Sequence, residues 1–299
     1  MKPHSAPRNL FEYGLALAVI KSLEWAPRRL GWLLAGGYAR LLGLALPRLR
    51  RVALRNLAMA LPELSPAERR RIAGGVFRSI GRLLLVFAKF PRIRSDNLAE
   101  WIRLEGFEHV EEARRRGRGV LFATAHLGNW ELSAFAYSLT VERMHVVVRP
   151  LDNPRIDALV ARRRALGGNR LVEKKEFARA ILKALTRNQA VGILIDQNSS
   201  PEEGVFVDFF GLKACASTGL TRLAAHSQAS VIPGFALWSE EERRYVLRFY
   251  PPVEITGRIE EDTQRLQSCL ESVIRQYPDQ WLWIHRRWKT RPPAEPALY

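Results

Sequence analysis

Cysteines and recognisable metal-binding patterns are scarce in this sequence. Its 299 residues include two cysteines, Cys215 and Cys269, which stand apart from each other and outside any C-x-x-C pattern. A disulfide framework is therefore excluded, and free thiols are expected in a reducing compartment. The sequence also lacks the H-E-x-x-H, Walker A, G-x-S-x-G and G-x-G-x-x-G patterns. We expect neither a bound metal nor a cofactor.

Acidic residues are in the minority. The chain has 30 Asp and Glu residues against 47 Lys and Arg residues, which gives a net charge of +17. A surplus of this size favours polyanionic partners, either nucleic acid or an anionic membrane surface. Most of it is arginine, whose guanidinium matches phosphate and carboxylate groups in two-pronged geometry. A genome that favours arginine codons is the alternative explanation.

A long, uninterrupted apolar run is also missing. The apolar stretch over residues 10–25 contains Glu12, Lys21 and Glu24, and the stretch over residues 30–46 contains Arg40. Neither resembles a cleaved signal peptide or a clean membrane span of about 20 residues. A pair of core helices and an amphipathic pair lying on a membrane both fit this pattern. The net charge of +8 over residues 1–60 favours membrane association.

The rest of the chain alternates between strand and helix patterns. Ser65, Pro66 and Glu68 predict a capped helix that ends near Phe90. The predicted strands cover residues 101–105, 120–124, 144–148, 171–172, 191–195, 231–237 and 245–249. The predicted helices between them cover residues 108–116, 129–139, 153–166, 177–186, 218–227 and 261–276. This alternation predicts an α/β fold with a mainly parallel central sheet flanked by helices.

The organisation predicted from these patterns has three parts. Residues 1–95 form an N-terminal helical region that associates with a membrane, and residues 96–290 form the α/β domain. Residues 291–299 form a flexible tail.

One short segment combines several groups that can support catalysis. A buried strand ends at Thr124, His126 follows in a turn, and a helix begins near Asn129. The outlet of a parallel strand into a helix is a common ligand site. Gly128 permits a sharp turn, and Glu131 in the first helical turn can then reach back to the imidazole. This arrangement predicts a base oriented by a carboxylate. A structural histidine near a glutamate favoured by the helix dipole is the alternative.

His126 and Glu131 form an H-x4-E motif within the longer segment His126-Leu127-Gly128-Asn129-Trp130-Glu131. This segment resembles that of the bacterial lipid A biosynthesis (late) acyltransferases, which belong to the glycerolipid-type acyltransferases. Six further segments agree with that family in order along nearly the whole chain. They are residues 55–63, 149–154, 164–167 and 196–197, residues 209–219 with one shift of spacing, and residues 277–289. Many members have a cleaner N-terminal membrane helix.

The resemblance implies an O-acyltransferase that works at the cytoplasmic face of the inner membrane. It implies His126 as the general base and Glu131 as the residue that orients it. It also implies an acyl carrier protein or a coenzyme A thioester as donor, and an anionic lipid A precursor or related membrane glycolipid as acceptor. The residues expected to bind substrate are Asn129, Arg149, Arg164, Asp196 and Gln197.

Other functions remain open at this point. Relatives of the family acylate mannosylated phosphoinositides, ornithine-type lipids or other lipids such as lysophospholipids. A nucleic-acid-binding protein would interleave basic and aromatic residues on one element, and only residues 281–289 do so. We therefore expect no nucleic-acid partner. A non-catalytic membrane scaffold would not require both His126 and Glu131.

Overall fold

A seven-stranded sheet lies at the centre of the computed structural model, which describes residues 5–173 and 177–299. The strands of the chain are β1 (Ile102–Glu105), β2 (Val120–Thr124), β3 (His145–Val148), β4 (Arg170–Glu173), β5 (Ala190–Leu194), β6 (Gly204–Phe209), β7 (Leu212–Ser217), β8 (Ser230–Ser239) and β9 (Arg244–Phe249). The sheet order is β1-β9-β8-β2-β5-β3-β4, and within it β8 and β9 form the antiparallel pair. The predicted α/β fold with a mainly parallel sheet is confirmed.

Helices cover both faces of this sheet and extend beyond it. They are α1 (Ala6–Trp25), α2 (Arg28–Ala45), α3 (Pro47–Ala60), α4 (Pro66–Lys89), α5 (Phe107–Arg115), α6 (Trp130–Thr140), α7 (Pro154–Arg164), α8 (Phe177–Leu185), α9 (Gly219–Ser227) and α10 (Ile259–Gln276). The predicted start of α4 is confirmed, because the Ser65 hydroxyl accepts a hydrogen bond from the Glu68 amide and the Glu68 carboxylate accepts one from the Ser65 amide. Buried residues of α4 belong to the cores on both sides of the sheet.

Small residues allow α2 to pack closely against α4. Gly31, Ala35 and Ala39 are the buried residues of α2. A Cβ atom added at Gly81 of α4 would come within 2.7 Å of the Ala35 carbonyl oxygen. The opposite surfaces of α1 and α2 carry large exposed side chains. These side chains are Leu10, Phe11, Leu15, Trp25, Leu30, Leu33, Leu41 and Leu44.

No single helix within residues 5–173 and 177–299 is both long and apolar enough to cross a membrane. Together, α2 and α3 have a length and composition that could span one, but they meet at a bend of 87°. The apolar stretch over residues 30–46 predicts α2, whereas α3 was not predicted from the sequence.

The hairpin formed by β6 and β7 was also not predicted. Its turn residues, Phe210 and Gly211, have φ angles of 55° and 71°. Two-residue hairpins normally place Asn, Asp or Gly at such positions. Because Phe210 occupies one of these positions, the turn could not be predicted from the sequence. The Phe210 amide donates a hydrogen bond to the Glu271 carboxylate at 2.5 Å, which helps to hold this unusual conformation.

Buried charges join α1 to the rest of the fold. Glu24 interrupts the first apolar stretch in sequence, and in the structure it accepts a hydrogen bond at 2.5 Å from Arg163 of α7. Arg163 also donates to the carbonyl oxygen of Ala88. Lys89 donates to the carbonyl oxygens of Glu24 and Ala26 at the end of α1. Burial raises the pKa of Glu24, but the hydrogen bonds from Arg163 and Lys21 outweigh it and lower this pKa overall.

Replacing Arg163 with methionine is expected to lower the free energy of unfolding by about 3 kcal/mol or more, because it leaves the Glu24 charge buried without its main partner. Arg162 is the matched control, since it is the exposed neighbour on the same helix. Denaturant unfolding of both variants in detergent gives the comparison. Equal unfolding midpoints for the two variants would contradict this assignment.

The last residues of the chain contact the fold. The Tyr299 hydroxyl donates a hydrogen bond to the Asn56 side chain, and the Tyr299 ring lies 5.9 Å from the Arg55 guanidinium and 5.6 Å from that of Arg286. The flexibility of residues 291–299 stays a prediction, as do the boundaries of the three predicted parts.

Candidate active site

The turn after β2 presents His126 at the carboxyl edge of the sheet. Gly128 has a φ angle of 64°, and a Cβ atom there would lie 2.0 Å from the Ala236 carbonyl oxygen. Only glycine fits this position without displacing β8. The Asn129 side chain then caps α6 by accepting a hydrogen bond from the Leu132 amide at 3.0 Å. Asn129 is fully buried, so the structure gives this predicted substrate ligand a capping role.

Asp196 is the hydrogen-bond partner of His126. Strand β5 pairs with β2, and His126 and Asp196 each stand two residues beyond the end of their strand. The Nδ1 atom of His126 lies 2.9 Å from Oδ1 of Asp196. The backbone amide of His126 donates to Oδ2 of Asp196 at 3.1 Å. The carboxylate is thus held against both the ring and the backbone of His126.

The charges of this pair shift both pKa values. Burial alone lowers the pKa of His126, but the negative charge of Asp196 and its hydrogen bond raise it above the ordinary value, with a further contribution from Glu131. Burial alone raises the pKa of Asp196, but His126 and the Trp281 indole bring it down to about 2. Asp196 is therefore ionised at neutral pH, and His126 is a stronger base than a free histidine.

Glu131 does not form the predicted hydrogen bond with the imidazole. In the described part of the chain its carboxylate oxygens accept hydrogen bonds from Arg164 at 2.8 and 2.5 Å and from the Trp130 indole at 3.2 Å. Arg164 comes from the end of α7, and its two-pronged pair with Glu131 competes with any contact to His126. Glu131 therefore acts on His126 through its charge rather than by direct contact.

Arg149 and Gln197 are exposed at the same edge of the sheet. Arg149 directly follows β3 and Gln197 directly follows Asp196, so both stand beyond the carboxyl ends of adjacent strands. Neither side chain has a hydrogen bond or ion pair with the described residues of the protein. Of the five predicted substrate ligands, these two are the ones left available for a substrate group.

The C-terminal segment packs into the site from the other side. The amide of Asn198 donates to Nε2 of His285 at 3.0 Å, and burial lowers the pKa of His285 to about 4. Arg287 is fully buried and donates to the carbonyl oxygen of Cys215 and to the Gln267 side chain. Arg287 is therefore part of the core rather than a surface contact for phosphate. From the sequence this segment is a motif without a predicted contact to His126 or Asp196.

No group of three His, Cys, Asp or Glu side chains suitable for a metal occurs in the described ranges. The chemistry available at this edge is that of a histidine base oriented by a buried carboxylate, next to an arginine–glutamate pair. This arrangement can remove a proton from a hydroxyl group and does not require a covalent enzyme intermediate.

These features define an α/β protein with a histidine–aspartate pair at the carboxyl edge of its sheet. The profile of the family described as bacterial lipid A biosynthesis acyltransferase matches residues 2–290. The chain belongs to this family and is an acyltransferase.

Its similarity to curated relatives extends over most of the chain. It is 28% identical to the lipid A biosynthesis lauroyltransferase of Escherichia coli (strain K12), over 95% of this chain and 94% of the relative. It is also 28% identical to the palmitoleoyltransferase of that organism, over 87% and 86% of the two chains. The corresponding values for the myristoyltransferase are 26% identity, 84% and 78%. The resemblance inferred from short motifs is confirmed.

Proposed function

We propose that this protein transfers a fatty acyl chain from a thioester to a hydroxyl group of a lipid A precursor, with His126 as the general base. The observation that carries this proposal is the contact between Nδ1 of His126 and the ionised Asp196 carboxylate. This contact favours the tautomer with the proton on Nδ1, which leaves the Nε2 lone pair free. Nε2 has no hydrogen-bond partner among the described protein atoms.

The reaction follows from this protonation state. Nε2 of His126 accepts the proton of the acceptor hydroxyl as the oxygen attacks the thioester carbonyl carbon. The carbonyl electrons move onto oxygen and give a tetrahedral oxyanion. When these electrons return, the carbon–sulfur bond breaks, and the imidazolium gives its proton to the departing thiolate. The products are an ester and a free thiol, and His126 is again neutral.

Two further groups contribute to this mechanism. The first amides of α6, those of Trp130 and Glu131, have no intrahelical acceptor and can stabilise the oxyanion. The negative charge of Glu131 stabilises the imidazolium and holds Arg164 beside the site. The predicted catalytic role of Glu131 is therefore retained in our proposal, with a charge effect in place of a hydrogen bond.

The substrates are proposed from charge and from the relatives. Arg149 is exposed at the active edge, and the chain has a net charge of +17. Both features suit an acceptor that carries phosphate groups. The donor is an acyl carrier protein or coenzyme A thioester, because both present the same thioester to the base. Neither donor requires a cofactor on the protein.

The test is acyl transfer from labelled acyl-carrier protein and from labelled acyl-coenzyme A to a purified lipid A precursor, with the product identified by mass spectrometry. Dephosphorylated precursor serves as the matched acceptor. We expect transfer to the phosphorylated precursor and much slower transfer to the dephosphorylated one. Equal rates would disprove the anionic acceptor. Faster transfer to a mannosylated phosphoinositide, an ornithine-type lipid or a lysophospholipid would identify that lipid as the acceptor in place of the lipid A precursor. No transfer to any of them would favour a scaffold.

We also propose that α1 and α2 attach the protein to the cytoplasmic face of the inner membrane. Exposed Phe11 and Leu33, each 74% accessible, are typical of side chains that enter the interfacial region of a bilayer. Basic residues surround them in sequence. These are Arg8, Lys21, Arg28, Arg29 and Arg40.

Replacing both Phe11 and Leu33 with serine is expected to weaken binding to anionic vesicles by about tenfold or more. The serine side chains lack the apolar surface that phenylalanine and leucine would bury from water on membrane binding. Vesicle flotation measures the binding at constant salt. Acyl transfer to detergent-dispersed acceptor is the control and is expected to remain unchanged. Unaltered flotation would exclude these side chains from the membrane contact.

A further inference from the structure

The segment after α10 returns to the turn that carries His126. The amide of Leu282 donates to the carbonyl oxygen of His126, and the amide of Gly128 donates to the carbonyl oxygen of Gln280, each at 3.0 Å. Leu127 and Trp281 form an isolated antiparallel bridge between these bonds. Trp281 is therefore fixed by its backbone directly beside the proposed base.

The Trp281 side chain reaches the carboxylate that orients this base. Its indole Nε1–H donates to Oδ2 of Asp196 at 2.9 Å, and its ring is 1% exposed. Oδ2 also accepts the His126 amide, whereas Oδ1 faces Nδ1 of the imidazole. The two oxygens thus have separate partners, and the two donors to Oδ2 determine the direction in which Oδ1 points.

Trp283 provides an internal comparison. It is as deeply buried as Trp281, and the two rings pack edge to face with centroids 4.6 Å apart. The indole of Trp283 donates to the carbonyl oxygen of Pro278 at 2.7 Å and makes no contact with Asp196. The two tryptophans therefore share one aromatic cluster but differ in the acceptor of their N–H group.

We propose that Trp281 is a positioning residue for acyl transfer, because its indole N–H holds Asp196 in the orientation that keeps the proton of His126 on Nδ1 and leaves Nε2 free. This inference rests on the proposed role of His126 as the base. The indole itself lies in the core, so its proposed effect on the reaction runs through Asp196.

The loss of this N–H group has two physical consequences. A buried carboxylate oxygen loses one of two donors, so the carboxylate becomes more basic and stabilises the imidazolium of His126 more strongly. The pKa of His126 then rises. The carboxylate can also rotate, so a smaller fraction of the molecules has the imidazole in the reactive geometry. The titratable and charged groups around this pair are Glu131, Arg164, His285 and Arg287.

The experiment compares Trp281→Phe with Trp283→Phe. Both changes remove an indole N–H and the same volume from one cluster, so their effects on packing are matched. Steady-state acyl transfer is measured against pH, and the His126 titration is followed by NMR of protein labelled at histidine. A variant with 3-benzothienylalanine at position 281 removes the N–H group and keeps the ring volume, so the test does not depend on the folding of the phenylalanine variant.

We expect kcat to fall roughly tenfold to a hundredfold in the position 281 variants, with KM nearly unchanged. The acid limb of the pH profile and the NMR pKa of His126 are expected to rise by about half a unit, while Trp283→Phe leaves both in place. Equal behaviour of the two variants, or an unchanged His126 pKa, would overturn the inference. A raised His126 pKa with undiminished transfer would also overturn the inference. That result would show that the proposed role of His126 as the base, on which the inference rests, is wrong.

Discussion

His126→Ala is expected to lower kcat by about 10² to 10⁴, the contribution of a positioned general base. No other described histidine lies where it could take over this function. His285 lies near Asp196 and His126, but its Nε2 accepts a hydrogen bond from the Asn198 amide, and burial lowers its pKa to about 4. Alanine also removes the ring that packs on Trp130, with centroids 4.9 Å apart, so a modest loss of stability accompanies the loss of rate.

The measurement is transfer of labelled acyl chain to the acceptor at saturating concentrations of both substrates. His226→Ala is the matched control, because His226 lies in α9 and belongs to none of the site contacts. The wild-type rate depends on neutral His126, whose pKa is raised, so the rate is expected to fall as pH decreases and to reach half its maximum above pH 6.5. Transfer by His126→Ala at the wild-type rate would mean that the imidazole is structural.

The position of His126 in a turn between a strand and a helix could be predicted, because every signal for it is local. A buried strand, a histidine two residues beyond it and a glycine followed by a helix cap stand within ten consecutive residues. Each of these features predicts one local conformation, so the turn after β2 and the start of α6 could be predicted. The same holds for α4, where Ser65 and Glu68 are three residues apart.

The hydrogen-bond partner of His126 depends on the order of the strands in the sheet. Asp196 was expected at a strand end, but alternating strands do not reveal which of them are neighbours. Only the pairing of β5 with β2 brings the carboxylate, 70 residues away in sequence, to Nδ1 of His126. The nearer candidate, Glu131, is held by Arg164 from α7, 33 residues later. Local spacing could not reveal this competing ion pair.

Trp281 illustrates the same limit at a larger separation. Its contact with Asp196 spans 85 residues, and its neighbour Trp283 has the same residue type, burial and local sequence pattern. Nothing in the sequence distinguishes the indole that contacts the site from the one that caps a carbonyl group. The resemblance to a family identifies residues 277–289 as a motif. Only the fold shows that the Trp281 indole contacts Asp196 and that the Trp283 indole does not.

Asp196→Asn is expected to lower kcat by about 10³ to 10⁴, because it reverses the tautomer of His126. The His126 amide and the Trp281 indole both donate to Oδ2, so the asparagine oxygen must occupy that position. The amide NH₂ group then faces Nδ1 and donates to it. The ring proton moves to Nε2, where the acceptor hydroxyl needs a lone pair, and the base is lost although the geometry is retained.

Two measurements separate this effect from simple damage to the fold. The pKa of His126, followed by NMR, is expected to drop when the negative charge of Asp196 is removed, and the ¹⁵N shifts report which ring nitrogen carries the proton. Asp208→Asn is the matched control, because this carboxylate is exposed on β6 and pairs with Lys213. Full activity of Asp196→Asn, with the proton still on Nδ1, would show that the carboxylate does not select the tautomer. The orientation of His126 would then have to come from its backbone contacts with residues 280–282 alone.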